Sequence, residues 1–260
     1  MTSAAKGRSD RVAGAPPPRV SSHAMLRIAF HAVVIAASTA FFGVLAIVAL
    51  LVIPNGDPLL WLARPWARTI TSACGVSVRA TGRDNVRRAG PCVILCNHAS
   101  HFDILALILA LPGQYRVLAK RELFFIPVFG WAIWLAGCIP VDRARRDRAR
   151  RSIDRAAERV RRGKSVLIFG EGTRSEDGAL QPLKKGGFHL ALSSGVAIVP
   201  VSIRGSRAVL PKGSLRIRPG LIDVVAGSPI PTRDRSVEEL DDLVREVRAA
   251  LAAGLAPSET

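Results

Sequence analysis

The sequence predicts an α/β fold: a mixed, largely parallel sheet flanked by helices, with an N-terminal helical segment that anchors it to a membrane. Three observations carry this. From residue 76 onward, short apolar runs alternate with longer helical patterns, the rhythm of strand–helix–strand units. One of those runs, at 93–96, is apolar without alternation, as a strand covered on both faces is, and a second apolar strand is read at 165–168. Upstream, residues 32–53 give 22 positions without a charged side chain, and crossing a hydrocarbon core takes about 20.

Taken in order, residues 1–24 hold Gly, Ser, three consecutive prolines (Pro16, Pro17, Pro18) and scattered basic charge, the composition of a disordered basic tail. Residues 25–75 are the expected anchor. Their apolar run has no small-residue cleavage signal behind a short apolar core, so it reads as an anchor and not as a removed signal peptide. A buried helix of a soluble domain is the competing reading. Residues 54–58 (PNGDP) form a turn. Residues 59–71 then interleave Leu, Trp and Ile with Arg64 and Arg68. Each arginine at the bilayer centre costs about 2.5–3.5 kcal/mol, so a second crossing is disfavoured. An interfacial helix with Trp61 and Trp66 at headgroup level fits better.

Residues 76–260 are the expected catalytic domain. Strands are predicted at 76–81 and 91–96, a helix at 102–111 and a strand at 115–119. Residues 123–136 (LFFIPVFGWAIWLA) suit either a core helix or a membrane-facing surface. Residues 144–162 read as a helix with Ala149, Ile153, Ala156 and Val160 on one face, and with nine arginines against three acids around the rest. Singly, those arginines suit a solvated face with i,i+4 pairs such as Glu158–Arg162. Together they suit docking on anionic lipid or an acidic carrier protein. A helix opens at Lys184 and Lys185 and runs through Leu192. Strands are predicted at 197–203, 214–218 and 221–225, and an amphipathic helix closes the chain at 236–253, its acids placed early against the helix dipole.

Composition narrows the partners. Lys and Arg number 37 against 20 Asp and Glu, arginine supplying 31 of them, for a formal net charge of +17. An anionic partner is implied: nucleic acid, an anionic membrane surface or an acidic carrier. With one Tyr, four Trp and no zinc-finger, homeodomain or RNA-binding signature, nucleic acid is set aside. The four cysteines (Cys74, Cys92, Cys96, Cys138) lack the paired spacing of a zinc site, so no metal is expected, and they read as small core residues.

Chemistry concentrates where two apolar runs end. After 93–96 come Asn97, His98, Ser100, His101 and Asp103, followed by a helical pattern. His98 therefore sits on a strand-to-helix turn, the place where open α/β sheets put ligands. Histidine changes charge near neutral pH, which suits a general base, and a carboxylate five residues on can hold its tautomer. The bland alternatives are a packed turn histidine and a helix-start aspartate. A second cluster, residues 169–175 (FGEGTRS), follows the run 165–168. Arg174 offers a planar fork matched to phosphate, or else a surface ion pair, and the flanking glycines let backbone approach an anion.

Residues 97–103 (NHASHFD) resemble the His-x4-Asp block of the glycerolipid acyltransferases, and 169–175 resemble their FPEGTRS block. Residues 137–143 (GCIPVDR) and 198–203 (IVPVSI) are similar to two further blocks, and all four stand in family order between residues 76 and 230. The stretch 180–230 looks most like the lysophosphatidate acyltransferases. Gly170 stands where the family usually has Pro, which is expected to loosen the backbone before Glu171.

The resemblance implies direct acyl transfer from acyl-coenzyme A or acyl carrier protein to a lysophosphatidate hydroxyl, with no further cofactor. His98 and Asp103 are then the catalytic pair. Asn97, Glu171, Gly172, Thr173 and Arg174 are the implied substrate-binding residues of the two main blocks, with Arg143 from the middle block. Lys184 and Lys185 add charge at a helix start, and Lys120 reaches the site or snorkels. Cys96 as an acylated nucleophile is the less favoured route. Another acceptor, such as a lyso-ornithine lipid or glycerol 3-phosphate, and a non-catalytic membrane lipid-binding protein remain alternatives. Anionic membrane lipid is an expected partner and the cell membrane the expected location. Lys6, Arg8, Arg11, Arg19 and Arg27 before the apolar run favour an inside N-terminus. An anchor that dips in and returns leaves the catalytic domain facing the cytoplasm, where acyl thioesters are.

Overall fold

Two wholly buried strands lie side by side at the centre of the molecule. A computed structural model describes residues 22–54, 57–142 and 145–256. In it β2 (Val93–Cys96) pairs in parallel with β5 (Ser165–Phe169), Cys96 opposite Phe169, and every residue of both strands is buried. Around them runs a seven-stranded sheet ordered β1-β7-β6-β2-β5-β3-β4. The outer strands are β1 (Val76–Thr81), β3 (Tyr115–Lys120), β4 (Ile139–Val141), β6 (Ile198–Arg204) and β7 (Gly220–Ala226). Among the described strands only β6 and β7 pair antiparallel, so the sheet is mixed and largely parallel, as predicted.

Both faces are covered, which explains the unalternating strands. On one face α2 (Pro58–Ala73), α3 (Arg83–Ala89) and α4 (Phe102–Ala110) bury residues such as Ile70, Val86 and Leu107. On the other, α6 (Arg146–Arg161), α7 (Gly186–Ser194) and α9 (Leu240–Leu255) bury Ala156, Phe188 and Leu243. The chain leaves β2 through α4 towards β3 and leaves β5 through α7 towards β6. Adjacent strands therefore send it to opposite faces, and a crevice opens beyond their carboxyl ends.

The N-terminal helix α1 (Ser22–Val52) is 31 residues long, and by length and composition it can cross a membrane. Phe30, Val33, Phe41 and Val48 on it are exposed. It packs against α2 and against α5 (Phe129–Leu135); Val128 fills the space that a Cβ on Gly43 would need, 2.6 Å away. At the corner before α2, Asp57 accepts from Arg116 on β3 (3.1 Å) and from Lys164 just before β5 (2.7 Å). Arg116 is almost fully buried. This ion cluster fixes the helical pair to the sheet end opposite the crevice.

Several local expectations need correction. Residues 1–21 lie outside the described residues, but Ser22, assigned to the tail, already opens α1. Trp66 does not face outward: its Nε1 donates to Thr39 (3.1 Å) and its ring packs on Phe129. Residues 214–218 form no strand, because β7 occupies the slot between β1 and β6. Leu215 is left 78% exposed there while Ile217 is buried. Residues 123–136 satisfy both readings at once. Gly130, Ala132 and Ile133 turn inward; Phe125, Ile126, Trp131 and Trp134 are exposed. Two short helices, α3 and α8 (Ser206–Val209), lie where no helix was predicted, having too few apolar positions to show a period.

Candidate active site

The crevice is lined by the turns that leave β2 and β5. Asp103 sits in the first turn of α4, fully buried, and its Oδ2 gathers three donors: His98 Nδ1 at 2.7 Å and the backbone N–H groups of Ala99 and Ser100 at 2.8 Å. The carboxylate therefore shapes the turn and holds the ring together. His98 stacks on Phe169 from the neighbouring strand, ring centroids 3.9 Å apart, and its side chain stays 15% exposed. Ser100 Oγ donates to the carbonyl of Leu210 at 2.8 Å and braces the same turn from β7's side of the sheet.

The second turn is tied to the first through backbone. Glu171 accepts from His98 N–H (2.6 Å) and from Gln181 N–H (2.9 Å), and Ser175 N–H donates to the His98 carbonyl (2.8 Å). Burial raises the Glu171 pKa above the ordinary carboxylate range despite those donors. Glu171 is thus a buried brace and not a group facing the crevice. Asn97 is a brace as well: it is buried, and its amide exchanges two hydrogen bonds with the backbone of Ile203 on β6 (3.0 and 2.7 Å).

The turn at Gly170 is held, not loose. Gly170 N–H donates to Cys96 carbonyl (2.8 Å), a bond proline cannot make, and its own carbonyl accepts from Lys184 N–H (2.8 Å). A Cβ at Gly170 would come within 2.7 Å of Leu95 and 3.0 Å of Leu183. In this chain those two leucines occupy the space a larger residue would take.

An apolar cavity of about 380 Å³ opens from His98 towards the N-terminal helices. Thr39, Phe42, Gly43 and Ala46 of α1, Leu60 and Trp66 of α2, Ile104 and Ile108 of α4, and Phe129 and Ile133 of α5 wall it. At the polar end stand His98, His101, Thr173, Arg174 and Lys120. Arg174 is half-buried and has no carboxylate partner among the described residues. His101 is held below the usual histidine pKa by burial first, then by the charges of Arg174 and His98.

The predicted binding residues therefore divide. Thr173, Arg174 and Lys120 line the cavity, Lys120 also pairing loosely with Glu122 (3.5 Å). Lys184 is exposed and lies over Gly172 of the same loop. Lys185 is turned away into an ion pair with Asp241 (2.7 Å). Arg143 lies outside the described residues. Cys96 is fully buried in the α4-side core, and burial pushes its thiol well above the ordinary range, which disfavours a thiolate there. His101 and the α1 wall were missed. His101 stood in the motif without a role, and the contact of α1 with the cavity depends on long-range packing that no local pattern reports.

Known proteins are similar to this chain in sequence and in fold. The family profile described as Acyltransferase matches residues 77–204. The chain is 32% identical over 247 residues to the chloroplastic 1-acyl-sn-glycerol-3-phosphate acyltransferase LPAT1 of Arabidopsis thaliana, covering 92% of this chain and 67% of that one. It is 35% identical over 202 residues to the chloroplastic 1-acyl-sn-glycerol-3-phosphate acyltransferase BAT2 of Brassica napus, covering 72% and 58% respectively. The chain thus spans between about half and two thirds of the length of the curated relatives it matches. The crystal structure of the 1-acyl-sn-glycerophosphate acyltransferase PlsC from Thermotoga maritima superposes with a TM-score of 0.76 at 24% identity, over 91% of this chain and 98% of that one, and so shares the fold. By this likeness the chain belongs to the acyltransferase family.

Proposed function

We propose that the protein moves a fatty acyl group from an acyl thioester, acyl-coenzyme A or acyl carrier protein, to the sn-2 hydroxyl of 1-acyl-glycerol 3-phosphate, giving phosphatidate. One observation carries this reading. The His98–Asp103 contact at 2.7 Å opens directly onto a cavity that is apolar along its length and cationic, through Arg174, at the same end. A lipid bearing both an acyl chain and a phosphate fits that polarity, and the cavity volume lies within the range of ligand pockets. The names of the curated relatives support the same reaction.

With Nδ1–H donated to Asp103, His98 presents Nε2 as the base. It takes the proton from the acceptor hydroxyl as that oxygen attacks the thioester carbonyl. Asp103 balances the imidazolium that results. When the tetrahedral intermediate collapses, the carbon–sulfur bond breaks and the imidazolium returns its proton to the departing thiolate. No enzyme group is acylated and no further cofactor is needed. Arg174 holds the acceptor phosphate, Thr173 and Lys120 stand at the same mouth, and the α1 and α2 walls take an acyl chain.

The substrate is a membrane lipid, and α1 with its exposed apolar side suits attachment to the bilayer, with α2 returning beside it. In this reading the catalytic domain faces the cytoplasm of the cell membrane. The test is thiol release by purified protein, wild type and His98→Ala, over a panel of acceptors. We expect release that depends on 1-acyl-glycerol 3-phosphate and falls roughly 10²–10⁴-fold in the variant. Equal use of a phosphate-free lysolipid would move the assignment to another acceptor. Lipid binding without thiol release would leave only a lipid-binding protein.

A further inference from the structure

A second cleft, of about 350 Å³, lies outside the catalytic crevice between the last turn of α5, the start of β4 and the second half of α6. Its wall carries Arg155, Arg159 and Arg162 against a single acid, Glu158. That acid is already committed: its two oxygens take Arg161 (2.8 Å) and Arg162 (2.7 Å). Arg155 donates to the carbonyl of Arg151 (3.3 Å) and has no carboxylate partner among the described residues. Arg159 is half-buried and has no carboxylate partner among the described residues. Its guanidinium lies 3.1 Å from where a Cβ on Gly137 would stand, and Gly137 has φ +76°, so any side chain there would be strained and would crowd the fork. Arg155 and Arg162 are exposed at its edge and Arg159 is half-buried, so the cleft is a cationic recess whose charge Glu158 offsets only in part.

The neighbourhood says which anion belongs in it. Trp134 forms the opposite wall and is 66% exposed. Trp131, one turn earlier on α5, is exposed too, so the helix that packs against α1 shows two bare indoles beside the cleft, and Phe125 and Ile126 in the turn before that helix are also exposed. Tryptophan is enriched at membrane interfaces because its ring is apolar and its N–H polar. Exposed aromatic surface next to uncompensated arginines matches the boundary between acyl chains and phosphate headgroups. A soluble phosphate or an acidic protein would account for the arginines but not for the bare indoles.

We propose that this cleft is a docking site for the headgroup phosphate of an anionic phospholipid, separate from the acceptor site at Arg174 and set at interface depth by Trp134 and Trp131. It rests on the membrane attachment proposed above for α1.

The full-length protein, diluted from detergent onto vesicles, tests both separately. Wild type is expected to bind phosphatidylcholine vesicles through α1 and to bind more tightly when phosphatidylglycerol is included. The double variant Arg155→Gln/Arg159→Gln should keep the first affinity and lose roughly five- to 25-fold of the increment, at about fivefold for each arginine near a charged surface. Its thiol release from detergent-dispersed substrates should be unchanged, which also shows that it is folded. Trp134→Phe should lessen quenching of tryptophan emission by brominated phosphatidylglycerol. A charge-matched pair outside the cleft, Arg216→Gln/Arg218→Gln, should keep the increment. An equal loss in that control, or a full increment in the cleft variant, overturns the site. So does a higher KM for an acyl carrier protein donor with vesicle binding intact, which would give the cleft to a protein. If wild type binds phosphatidylcholine but gains nothing from phosphatidylglycerol, the site alone fails. If it binds no vesicle, the attachment of α1 fails and the site with it.

Discussion

Asp103→Asn separates an orienting, charge-balancing carboxylate from a helix-start residue. In the wild type one oxygen, Oδ2, accepts from the His98 ring and from two backbone N–H groups, all within 2.8 Å. An asparagine that places its carbonyl oxygen in that position keeps all three acceptor contacts. The turn should survive, with a stability loss of about 1–3 kcal/mol as charge-assisted bonds become neutral ones. What disappears is the negative charge beside the imidazolium formed during transfer. Opposite unit charges about 4 Å apart attract by about 4 kcal/mol at an effective dielectric near 20. At about 1.4 kcal/mol per decade, that is a fall in kcat approaching 10³-fold. KM for either substrate should change little, because nothing in the cavity wall moves. The assay is steady-state thiol release, with a thermal melt on the same sample. Near-wild-type kcat in a folded variant would refute the pairing of Asp103 with a charged His98. A kcat loss that tracks a collapse in Tm would reduce Asp103 to holding the turn.

Three further substitutions probe other parts of the structure. Arg174→Ala should lower kcat/KM for the phosphorylated acceptor by roughly ten- to a hundredfold, the worth of one charge-assisted contact, while leaving KM for the thioester alone; a change confined to the thioester would hand Arg174 to the donor. Gly170→Pro should lower stability by about 2–4 kcal/mol, from the lost bond to Cys96 and the crowding of Leu95 and Leu183, and Leu183→Val should restore part of the Tm. An unchanged Tm would mean those leucines give way freely. Asp57→Ala takes the carboxylate away from the buried Arg116 and from Lys164 and should cost about 3–5 kcal/mol. Burial pushes the Asp57 carboxyl up, but the bonds and charges of Lys164 and Arg116 outweigh it and hold the pKa below its ordinary value. Its contribution is therefore full above the unfolded aspartate pKa and is lost as pH falls through the lower folded value. Wild type should lose Tm in acid more steeply than the variant, and parallel pH–Tm curves would exclude this cluster.

The parts of the molecule that were legible beforehand are those whose signal is local. The runs of β2 and β5 carry no alternation because both faces of each strand are covered. The polar clusters follow them directly, so both could be placed at strand ends, while the meeting of His98 with the loop of Arg174 needed the parallel pairing of β2 with β5. Glu171 and Asn97 show the limit of that reading. A polar residue inside a motif can serve the motif by bracing backbone, and composition cannot separate that from binding. Trp66 failed for a different reason: a tryptophan beside arginines reads as interfacial until a partner such as Thr39 or Phe129 is known. The segment 214–218 alternates like a strand, but pairing needs a free neighbour, and neighbours are a property of the whole sheet.

The wall that α1 gives to the cavity bears on how the protein can be cut. Thr39, Phe42, Gly43 and Ala46 close one side of the space in front of His98. A fragment beginning after residue 57 would keep the whole sheet and both motif turns, and by those signs would look intact. It would nonetheless hold its histidine over an open trough, with one wall of the cavity gone. It would also lose Asp57 and leave Arg116 and Lys164 without that carboxylate. In this protein the segment that looks like a tether is part of the vessel.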